Sequence, residues 1–241
     1  MTRPSGYVIS DLHLFAQRSV AEAYLPEIRA AAAEADFFVL NGDMFDFRWS
    51  VLPTVEDTVE AALEWLRDLI SAHRQCRFFY ILGNHDRLRL FTERLAALAA
   101  EEDNLQWVGS YLRIGTALFL HGDVRIAGAR RLGFARPFRR RVRQRGRFLS
   151  ACYRAVVSVG VHRLIALTNR PRRFARRILR ALGAEHTGLT EGLTDVYFGH
   201  THRPFTDYRY GGLTFHNTGS AIRGMRCNLV AVRLAGGADR W

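Results

Sequence analysis

The sequence contains no lysine, so all 35 of its basic side chains are arginines, and the formal net charge of the 241 residues is +12. It contains only three cysteines, Cys76, Cys152 and Cys227, which are scattered along the chain and form no CxxC pair. This pattern argues against a disulfide framework and against a thiolate metal site. It is typical of buried, inert thiols in a reducing compartment, so we expect a cytoplasmic protein.

Long apolar runs are also absent. No charge-free stretch approaches the ~20 apolar residues that a membrane-spanning helix needs, and Asp11 interrupts the chain before an apolar region of signal-peptide length develops. We therefore expect neither a spanning helix nor a signal peptide. With 48% hydrophobic residues, the chain can form one sizeable core that carries an inserted subdomain.

Acidic residues are absent from one segment, which runs from Val124 to Ala184. This segment holds 18 arginines and no Asp or Glu, whereas the remainder holds 17 arginines and 23 acidic residues. A mildly acidic body therefore carries one strongly basic segment.

The basic segment has helical periodicity. In its last part, Phe174, Ile178 and Leu182 are four residues apart and the intervening positions are rich in arginine, which predicts an amphipathic helix over 170–184. Residues 133–148 have a similar composition. We therefore predict a single domain over residues 1–241, with 124–184 inserted as an Arg-rich helical subdomain.

Outside this insertion, short apolar, β-branched or aromatic runs alternate with Ala-, Leu- and Glu-rich stretches. The predicted strands lie within 6–10, 36–43, 77–86, 117–123 and 195–202, and the predicted helices lie near 20–35, 56–73 and 88–100. This alternation predicts an α/β fold with mostly parallel strands. Short runs with Gly and Asn turns after Gly199 predict an antiparallel finish.

Each of the five apolar runs ends in residue types that bind metals. These are Asp11 and His13; Asp43 and Asp46; Asn84, His85 and Asp86; His121; and His200 and His202. Taken singly, each cluster fits an ordinary turn or a hydrogen-bonded structural histidine. Because the carboxyl ends of parallel strands meet at one crevice, we expect these side chains to lie together. Buried carboxylates repel one another, and divalent cations remove that penalty.

The ligand types indicate which cations fit. Carboxylate, imidazole and amide oxygen without thiolate favour Mn²⁺, Fe, Zn²⁺ or Ni²⁺. The number of candidate ligands is too large for one ion and suits two. We therefore predict two divalent metal ions and expect manganese first among them.

The ordered series of motifs, which spans residues 11–202, resembles the calcineurin-like metallophosphoesterases. The resemblance implies a four-layer α-β-β-α sandwich with a two-metal centre at the strand ends. It implies that Asp43 bridges the two metals, whose remaining ligands come in two sets. Asp11, His13 and His202 would hold the first metal, and Asn84, His121 and His200 would hold the second.

The same resemblance implies catalytic roles for two further residues. Asp46 would bond to one ring nitrogen of His85, and His85 would protonate the leaving group as a general acid. Water ionised by the two cations would attack phosphorus. Asp86 is interpreted as a structural cap of the following helix.

Three arginines and one short stretch near the motifs are also assigned roles. Arg87 and Arg203 directly follow motif residues and are predicted to contact phosphate oxygens of the substrate, whereas Arg48 is assigned to solvent. The stretch "FHNTGS" (215–220) is interpreted either as a close pass of the chain behind the metal site or as a simple turn.

Three interpretations of the basic insertion compete. The first is a helical cap with solvated arginines, and the second is a nucleic-acid-binding surface. The third is a lid that lies on an anionic membrane surface. Its aliphatic rather than aromatic composition favours lipid over stacked bases. We therefore expect a protein bound peripherally to the inner face of the membrane.

A narrower likeness bears on the substrate. The stretches "SDLHL", "GDMFDF", "HGD" and "GHTHRP" are similar to those of UDP-2,3-diacylglucosamine diphosphatases, which also carry a helical lid at this place. That group has Arg where this chain has His85, and its lid begins with acidic residues absent here. We predict a dinuclear phosphoester hydrolase that acts on a lipid-linked diphosphate. The alternatives are a soluble phosphodiesterase, phosphatase or nuclease, and a non-catalytic metal-binding scaffold.

Overall fold

The computed structural model of the protein describes residues 6–127, 131–133, 170–185 and 188–234. Most of the predicted helical insertion, including residues 134–148 and Cys152, lies outside these residues. Within the part that is described, no helix is both long enough and apolar enough to cross a membrane.

The first sheet has five strands and contains the three most N-terminal strand predictions. Its members are β1 (Gly6–Ile9), β2 (Phe37–Asn41), β3 (Arg77–Ile81), β4 (Leu105–Val108) and β12 (Val230–Val232). The order is β12-β1-β2-β3-β4, with β1 to β4 parallel and β12 antiparallel to β1. The predicted helices connect the parallel strands, and the sequence analysis missed β4 and β12.

These connecting helices are α1 (Leu25–Glu34), α2 (Val55–Ala72) and α3 (Arg89–Glu101), with a short 3-10 helix (Ala21–Tyr24) before α1. The start of α2 has a clear local cause. The Thr54 hydroxyl accepts from the Asp57 N–H, and the Asp57 carboxylate accepts from the Thr54 N–H, which satisfies two amides at the helix start.

The second sheet also has five strands. Its members are β5 (Tyr111–Ile114), β6 (Ala117–Leu120), β9 (Asp195–Phe198), β10 (Phe205–Tyr210) and β11 (Leu213–Asn217). The order is β10-β11-β9-β6-β5, in which β6, β9 and β11 are parallel and the outer strands are antiparallel. The antiparallel β10–β11 pair and the antiparallel β12 confirm the predicted finish of the chain.

The basic insertion begins differently from the prediction. Strands β7 (Arg125–Ala127) and β8 (Arg131–Gly133) pair antiparallel. The expectation of a wholly helical insertion is therefore wrong at its start, where Ile126 pairs with Leu132 across a segment that contains Gly128. The predicted helix at the other end is confirmed as α4 (Pro171–Glu185).

Three buried clusters define four layers. The first packs α1 to α3 against one face of the first sheet and includes Ile28, Leu66, Leu95, Phe38 and Tyr80. The second lies between the sheets and includes Val39, Phe79, Phe119 and Tyr197. The third packs α4 against the outer face of the second sheet and includes Ile178, Leu182, Val196 and Phe215. The α-β-β-α sandwich expected from the sequence is confirmed.

The two described cysteines, Cys76 and Cys227, are free and buried, which matches the expectation of inert thiols. Burial raises the pKa of Cys76 to about 12, and it also raises the pKa of Cys227. A thiol in this state is a poor nucleophile and a poor metal ligand at neutral pH.

Candidate metal centre

All the sequence-predicted metal ligands follow the carboxyl ends of strands that belong to both sheets. Those of the first sheet follow β1, β2 and β3, and those of the second sheet follow β6 and β9. The residues, in strand order, are Asp11 and His13; Asp43; Asn84; His121; and His200 and His202. Because the two sheets are stacked, segments that are distant in sequence meet at one edge of the sandwich.

The backbone at these positions is strained. Among the described residues, seven that are not glycine have a positive φ, and five of them are predicted metal ligands. These are Asp11 (53°), His13 (47°), Asp43 (53°), His200 (64°) and His202 (56°). A side chain in this left-handed region costs ~1–3 kcal/mol and persists only where surrounding contacts enforce it. Such strain is typical of sites where side-chain direction matters more than stability.

The first group of ligand atoms contains Asp11, His13 and His202. Asp11 Oδ1 lies 3.2 Å from His202 Nε2 and 3.9 Å from His13 Nε2, and the two Nε2 atoms are 3.4 Å apart. Asp11 Oδ1 is buried and has no hydrogen-bond partner among the residues that the structure describes. These three atoms converge as the ligands of one cation would.

The second group contains Asp43, His121 and His200. His121 Nε2 lies 3.2 Å from Asp43 Oδ2, and the His121 and His200 rings are 5.3 Å apart. Asn84 Oδ1 and His121 Nε2 are both buried, and within the described part of the chain neither has a hydrogen-bond partner. Nδ1 of His121 lies 3.2 Å from the carbonyl oxygen of Asn41 and donates to it. This bond leaves Nε2 as the nitrogen that can bind a metal.

Charge explains why these groups fit cations. Burial by itself raises the pKa of Asp43, but His121 and His85 hold it well below its usual value. Burial by itself lowers the pKa of His121, but Asp43 and Asp11 outweigh it and raise the value to about 10. The buried carboxylates raise the pKa of the nearby imidazoles because their negative charge favours positive charge close by. Two divalent cations would supply it, and orphaned carboxylate, imidazole and amide atoms are ligands that such cations accept.

A third group places Asp46 between two imidazoles. Asp46 Oδ2 lies 3.3 Å from His85 Nδ1 and 3.8 Å from His13 Nδ1, and Asp46 Oδ1 accepts from the N–H groups of Arg48 and Trp49, each at 3.0 Å. The Asp46 side chain is buried, whereas that of His85 is 30% exposed. Asp46 is therefore fixed by its own loop and orients a histidine that solvent can reach.

Two glycines allow the close approach of these loops. A Cβ on Gly83 would lie 2.2 Å from Asp43 Oδ1, and a Cβ on Gly199 would lie 2.2 Å from Asp11 Oδ2 and 2.1 Å from Ser10 Oγ. Any other residue would displace a carboxylate of the centre. These glycines belong to the sequence motifs because of contacts that only the folded chain creates.

The stretch 215–220 passes directly behind Asp11, as the first of its two interpretations predicts. Asn217 Nδ2 donates to the carbonyl oxygen of Gly199 at 2.8 Å, and Ser220 Oγ donates to the carbonyl oxygen of Asp11 at 3.0 Å. Thr218 Oγ1 lies 2.5 Å from Ser10 Oγ, which in turn donates to Asp11 Oδ2. The stretch thus holds the first group from behind and is more than a turn.

The structure corrects the interpretation of Asp86. Helix α3 is preceded by Leu88 without a side-chain cap, so Asp86 does not cap it. Asp86 is fully buried, and its carboxylate accepts from the N–H groups of Asp43 (2.6 Å), Gly83 (3.2 Å) and Phe45 (3.3 Å). It therefore joins the loops after β2 and β3. Only its place immediately after the Asn84-His85 pair pointed to this in the sequence.

The two predicted phosphate-binding arginines differ in position. Arg87 is 4% exposed, and its guanidinium donates to the carbonyl oxygen of Gly109. Its described hydrogen bond is therefore with the loop after β4, and contact with a substrate stays a prediction. Arg203 is half-buried and follows the ligand His202. Asp123, which the sequence analysis did not single out, is buried and contributes to raising the pKa of His121.

Comparison with known proteins identifies the family. The family model for calcineurin-like phosphoesterases matches residues 7–204. The chain belongs to this family. As a member, it is a phosphoester hydrolase that acts on a phosphorylated substrate. The family depends on a dinuclear metal centre, and the groups of Asp and His residues described above could hold metal ions.

Two further comparisons complete the picture. The search of curated proteins gave no match. Among solved structures, the chain is similar to a dimetal phosphatase from Danio rerio, with 11% identity and a TM-score of 0.48 over 95% of this chain and 93% of that one.

Proposed function

We propose that this calcineurin-like phosphoesterase binds two divalent cations through the residues that the sequence motifs predict. In this proposal, Asp43 serves both ions, with Asp11, His13 and His202 on the first and Asn84, His121 and His200 on the second. The observation that carries it is the presence of two separate groups of converging ligand atoms, several of them buried and without hydrogen-bond partners. The ligand types suit Mn²⁺, and also Fe, Zn²⁺ and Ni²⁺.

Two cations held by these residues would supply ionised water for attack on phosphorus and positive charge beside the phosphoryl oxygens. The protein's own residues supply the remaining steps. His85 donates a proton to the leaving oxygen, and Asp46 at its Nδ1 leaves the other ring nitrogen for this task. Burial by itself lowers the pKa of His85, but Asp43 and Asp46 raise it to about 9. Arg203 contacts a phosphoryl oxygen beside His202.

A direct experiment tests this function. Purified full-length protein is stripped with a chelator and titrated with Mn²⁺, and bound metal and hydrolysis of bis-p-nitrophenyl phosphate are measured on the same samples. We expect two Mn²⁺ per chain and a rate that rises with occupancy of both sites. Bound metal without turnover on any phosphomonoester, phosphodiester or diphosphate would instead favour the non-catalytic scaffold.

The packing and charge of helix α4 support a more specific proposal for the substrate. Its inner face is fully buried on the second sheet through Ala175, Ile178, Ala181 and Leu182. Its outer face exposes four arginines, which have no ion pair within the part of the chain that the structure describes. They are Arg172, Arg173, Arg176 and Arg180. A rigidly attached cationic face of this kind suits an anionic membrane surface.

We therefore propose that the substrate is a lipid-linked diphosphate, as in the UDP-2,3-diacylglucosamine diphosphatases, reached from the cytoplasmic face of the membrane. The free, buried thiols of Cys76 and Cys227 agree with a reducing compartment. A soluble phosphodiesterase, phosphatase or nuclease is the alternative, in which the same arginines would contact the phosphates of a soluble ligand or a nucleic acid.

Vesicle flotation tests the membrane proposal. The wild type is expected to float with phosphatidylglycerol vesicles at low salt and to dissociate as salt rises. Replacing Arg172, Arg173, Arg176 and Arg180 by Gln is expected to weaken partitioning by ~10³-fold, because each basic residue near the surface contributes ~1 kcal/mol.

The chain offers a matched control with the same change in charge. Four arginines on or just after α2 and on α3 are each paired with a glutamate, and their replacement by Gln should leave flotation nearly unchanged. They are Arg67, Arg74, Arg89 and Arg94. Wild-type protein that stays in the soluble fraction at low salt would contradict the membrane proposal. Binding of single- or double-stranded DNA that depends on the α4 arginines would favour the nuclease instead.

A further inference from the structure

Asn41 connects the two sheets directly beneath the metal centre. It is the last residue of β2 in the first sheet and is fully buried. Its side-chain Nδ2 donates to the carbonyl oxygens of Leu120, at 3.0 Å, and Tyr197, at 3.3 Å, which lie at or near the ends of β6 and β9 in the second sheet. One amide group thus joins the carboxyl ends of three strands.

The backbone of the same residue orients a proposed ligand. The carbonyl oxygen of Asn41 accepts from His121 Nδ1 at 3.2 Å. The side chain of Asn41 therefore holds β6 at Leu120, one residue before His121, while its main chain fixes the ring of His121. Both contacts act on the position of His121 Nε2 relative to Asp43.

The second group of ligands needs this connection more than the first. Asp43 and Asn84 follow strands of the first sheet, whereas His121 and His200 follow strands of the second, so the spacing between the sheets sets the size of this group. Backbone bonds join loops of the same sheet, as between Asp11 N and Gly42 O and between Gly199 N and His121 O, both at 3.0 Å. The backbone bond from Ala221 N to Asp11 O, at 3.1 Å, joins loops of different sheets, but it lies beside the first group. Near the first group, the stretch 215–220 provides a separate support for Asp11.

We propose that Asn41 is a positioning residue that sets the distance between the sheets at the second metal site and thereby controls the affinity of that site selectively. The inference rests on the proposed metal ligands. It goes beyond them because Asn41 belongs to neither ligand group and carries no atom assigned to a cation.

The test is an Mn²⁺ titration of the metal-stripped full-length chain, followed by calorimetry and by electron paramagnetic resonance. In Asn41→Ala, one of the two Mn²⁺ ions is expected to bind ~10–100-fold more weakly, the usual effect of losing a residue that supports a ligand, while the other keeps its affinity. The spectrum at one equivalent per site should change from that of a coupled pair toward that of an isolated ion. Asn41→Ser, which retains one donor, should show an intermediate loss and serves if the alanine variant does not fold.

Asn104 provides a matched control. Its Nδ2 donates to the carbonyl oxygens of Ile70, His73 and Cys76, at 3.1–3.3 Å, and it precedes β4 at the end of the first sheet away from the metal centre. Asn104→Ala should lower the melting temperature without changing either Mn²⁺ affinity.

The outcomes separate the inference from the proposed function. Two tight Mn²⁺ sites in Asn41→Ala, or equal weakening of both sites, would overturn the role of Asn41 and leave the proposed centre in place. A wild type that binds fewer than two Mn²⁺ ions would overturn the proposed centre itself, and the inference with it. Selective weakening of one site in Asn41→Ala, with both sites tight in the wild type and in Asn104→Ala, would support the proposed centre and the role of Asn41.

Discussion

Replacing Asp43 by asparagine is expected to lower kcat by ~10³-fold or more, because the proposed shared ligand loses its charge and one cation contributes several kcal/mol to the transition state. Asparagine has nearly the same size as aspartate, and its side-chain oxygen can still accept a hydrogen bond from the His85 backbone N–H. In the wild type, this nitrogen lies 2.7 Å from Asp43 Oδ1. The measurement is Mn²⁺-dependent hydrolysis at saturating substrate, together with metal content. We expect fewer than two Mn²⁺ per chain.

The same substitution should also reduce the rise in melting temperature that Mn²⁺ causes. For one site, free Mn²⁺ at 100 times its dissociation constant stabilises the folded protein by ~2.7 kcal/mol. In a chain of this size, that raises the melting temperature by ~5–11 °C. We expect this rise for each site in the wild type and its loss for at least one site in Asp43→Asn.

Asp195 supplies the matched control for Asp43. Asp195 Oδ1 lies 3.0 Å from His216 Nε2, so it is also an aspartate paired with a histidine, but it lies at the amino end of β9. Asp195→Asn should keep both the Mn²⁺-induced rise in melting temperature and the hydrolytic rate. If Asp43→Asn still bound two Mn²⁺ ions with wild-type affinity, the role of Asp43 as a shared ligand would be excluded.

Replacing His85 by alanine is expected to lower kcat by ~10²–10⁴-fold while two Mn²⁺ ions remain bound. The partly exposed ring is oriented by Asp46, whose Oδ2 lies 3.3 Å from His85 Nδ1, and His85 belongs to neither proposed ligand set. Loss of a proton donor therefore lowers kcat without loss of metal, whereas loss of a metal ligand lowers both kcat and the bound Mn²⁺. Loss of metal together with activity in this variant would instead make His85 a ligand, in the group that it forms with His13 and Asp46.

The leaving group sharpens this prediction. p-Nitrophenolate departs readily without a proton, whereas an alkoxide needs one, so the loss of a general acid costs more for the poorer leaving group. The ratio of wild-type to His85→Ala kcat should therefore be larger for an alkyl ester than for the p-nitrophenyl ester. Equal ratios for both esters would remove proton donation from the role of His85.

A second histidine controls for nonspecific damage in the His85 experiment. His73 is buried and its Nδ1 bonds to the carbonyl oxygen of Leu69 at the end of α2, remote from the strand ends that form the centre. His73→Ala should reduce stability with little change in kcat. A comparable loss of kcat in both variants would mean that His85→Ala acts through folding.

Much of the fold could be predicted because each element carried its own local signal. The apolar runs before Asp11, Asp43 and His121 became strands, and the amphipathic stretches became α1 to α4. Strands β4, β5 and β12 escaped prediction because each has only three or four residues and no motif of ligand residues follows it. The β7–β8 hairpin escaped because the arginine content of the insertion outweighed the pairing of Ile126 with Leu132.

Part of the site could not be predicted, because the relevant contacts join residues far apart in sequence. Asp86 looks like a helix cap, yet it accepts from the amides of two loops. The bond from the Arg87 guanidinium to the carbonyl oxygen of Gly109 was likewise not predicted, while its contact with substrate stays a prediction. The role of Asn41 depends on Leu120 and Tyr197, whose carbonyl oxygens leave no trace in the sequence.

By itself, the sequence determined the kind of chemistry, because imidazole, carboxylate and amide groups at the ends of apolar runs are ligand types for divalent cations wherever the chain brings them together. Only the tertiary structure decided which of these groups face one another. The stacking of two sheets, and not any local pattern, places Asp43 Oδ2 3.2 Å from His121 Nε2, although β3, β4 and β5 separate their strands in the chain. Contact between distant segments is set by packing, and packing is a property of the whole chain.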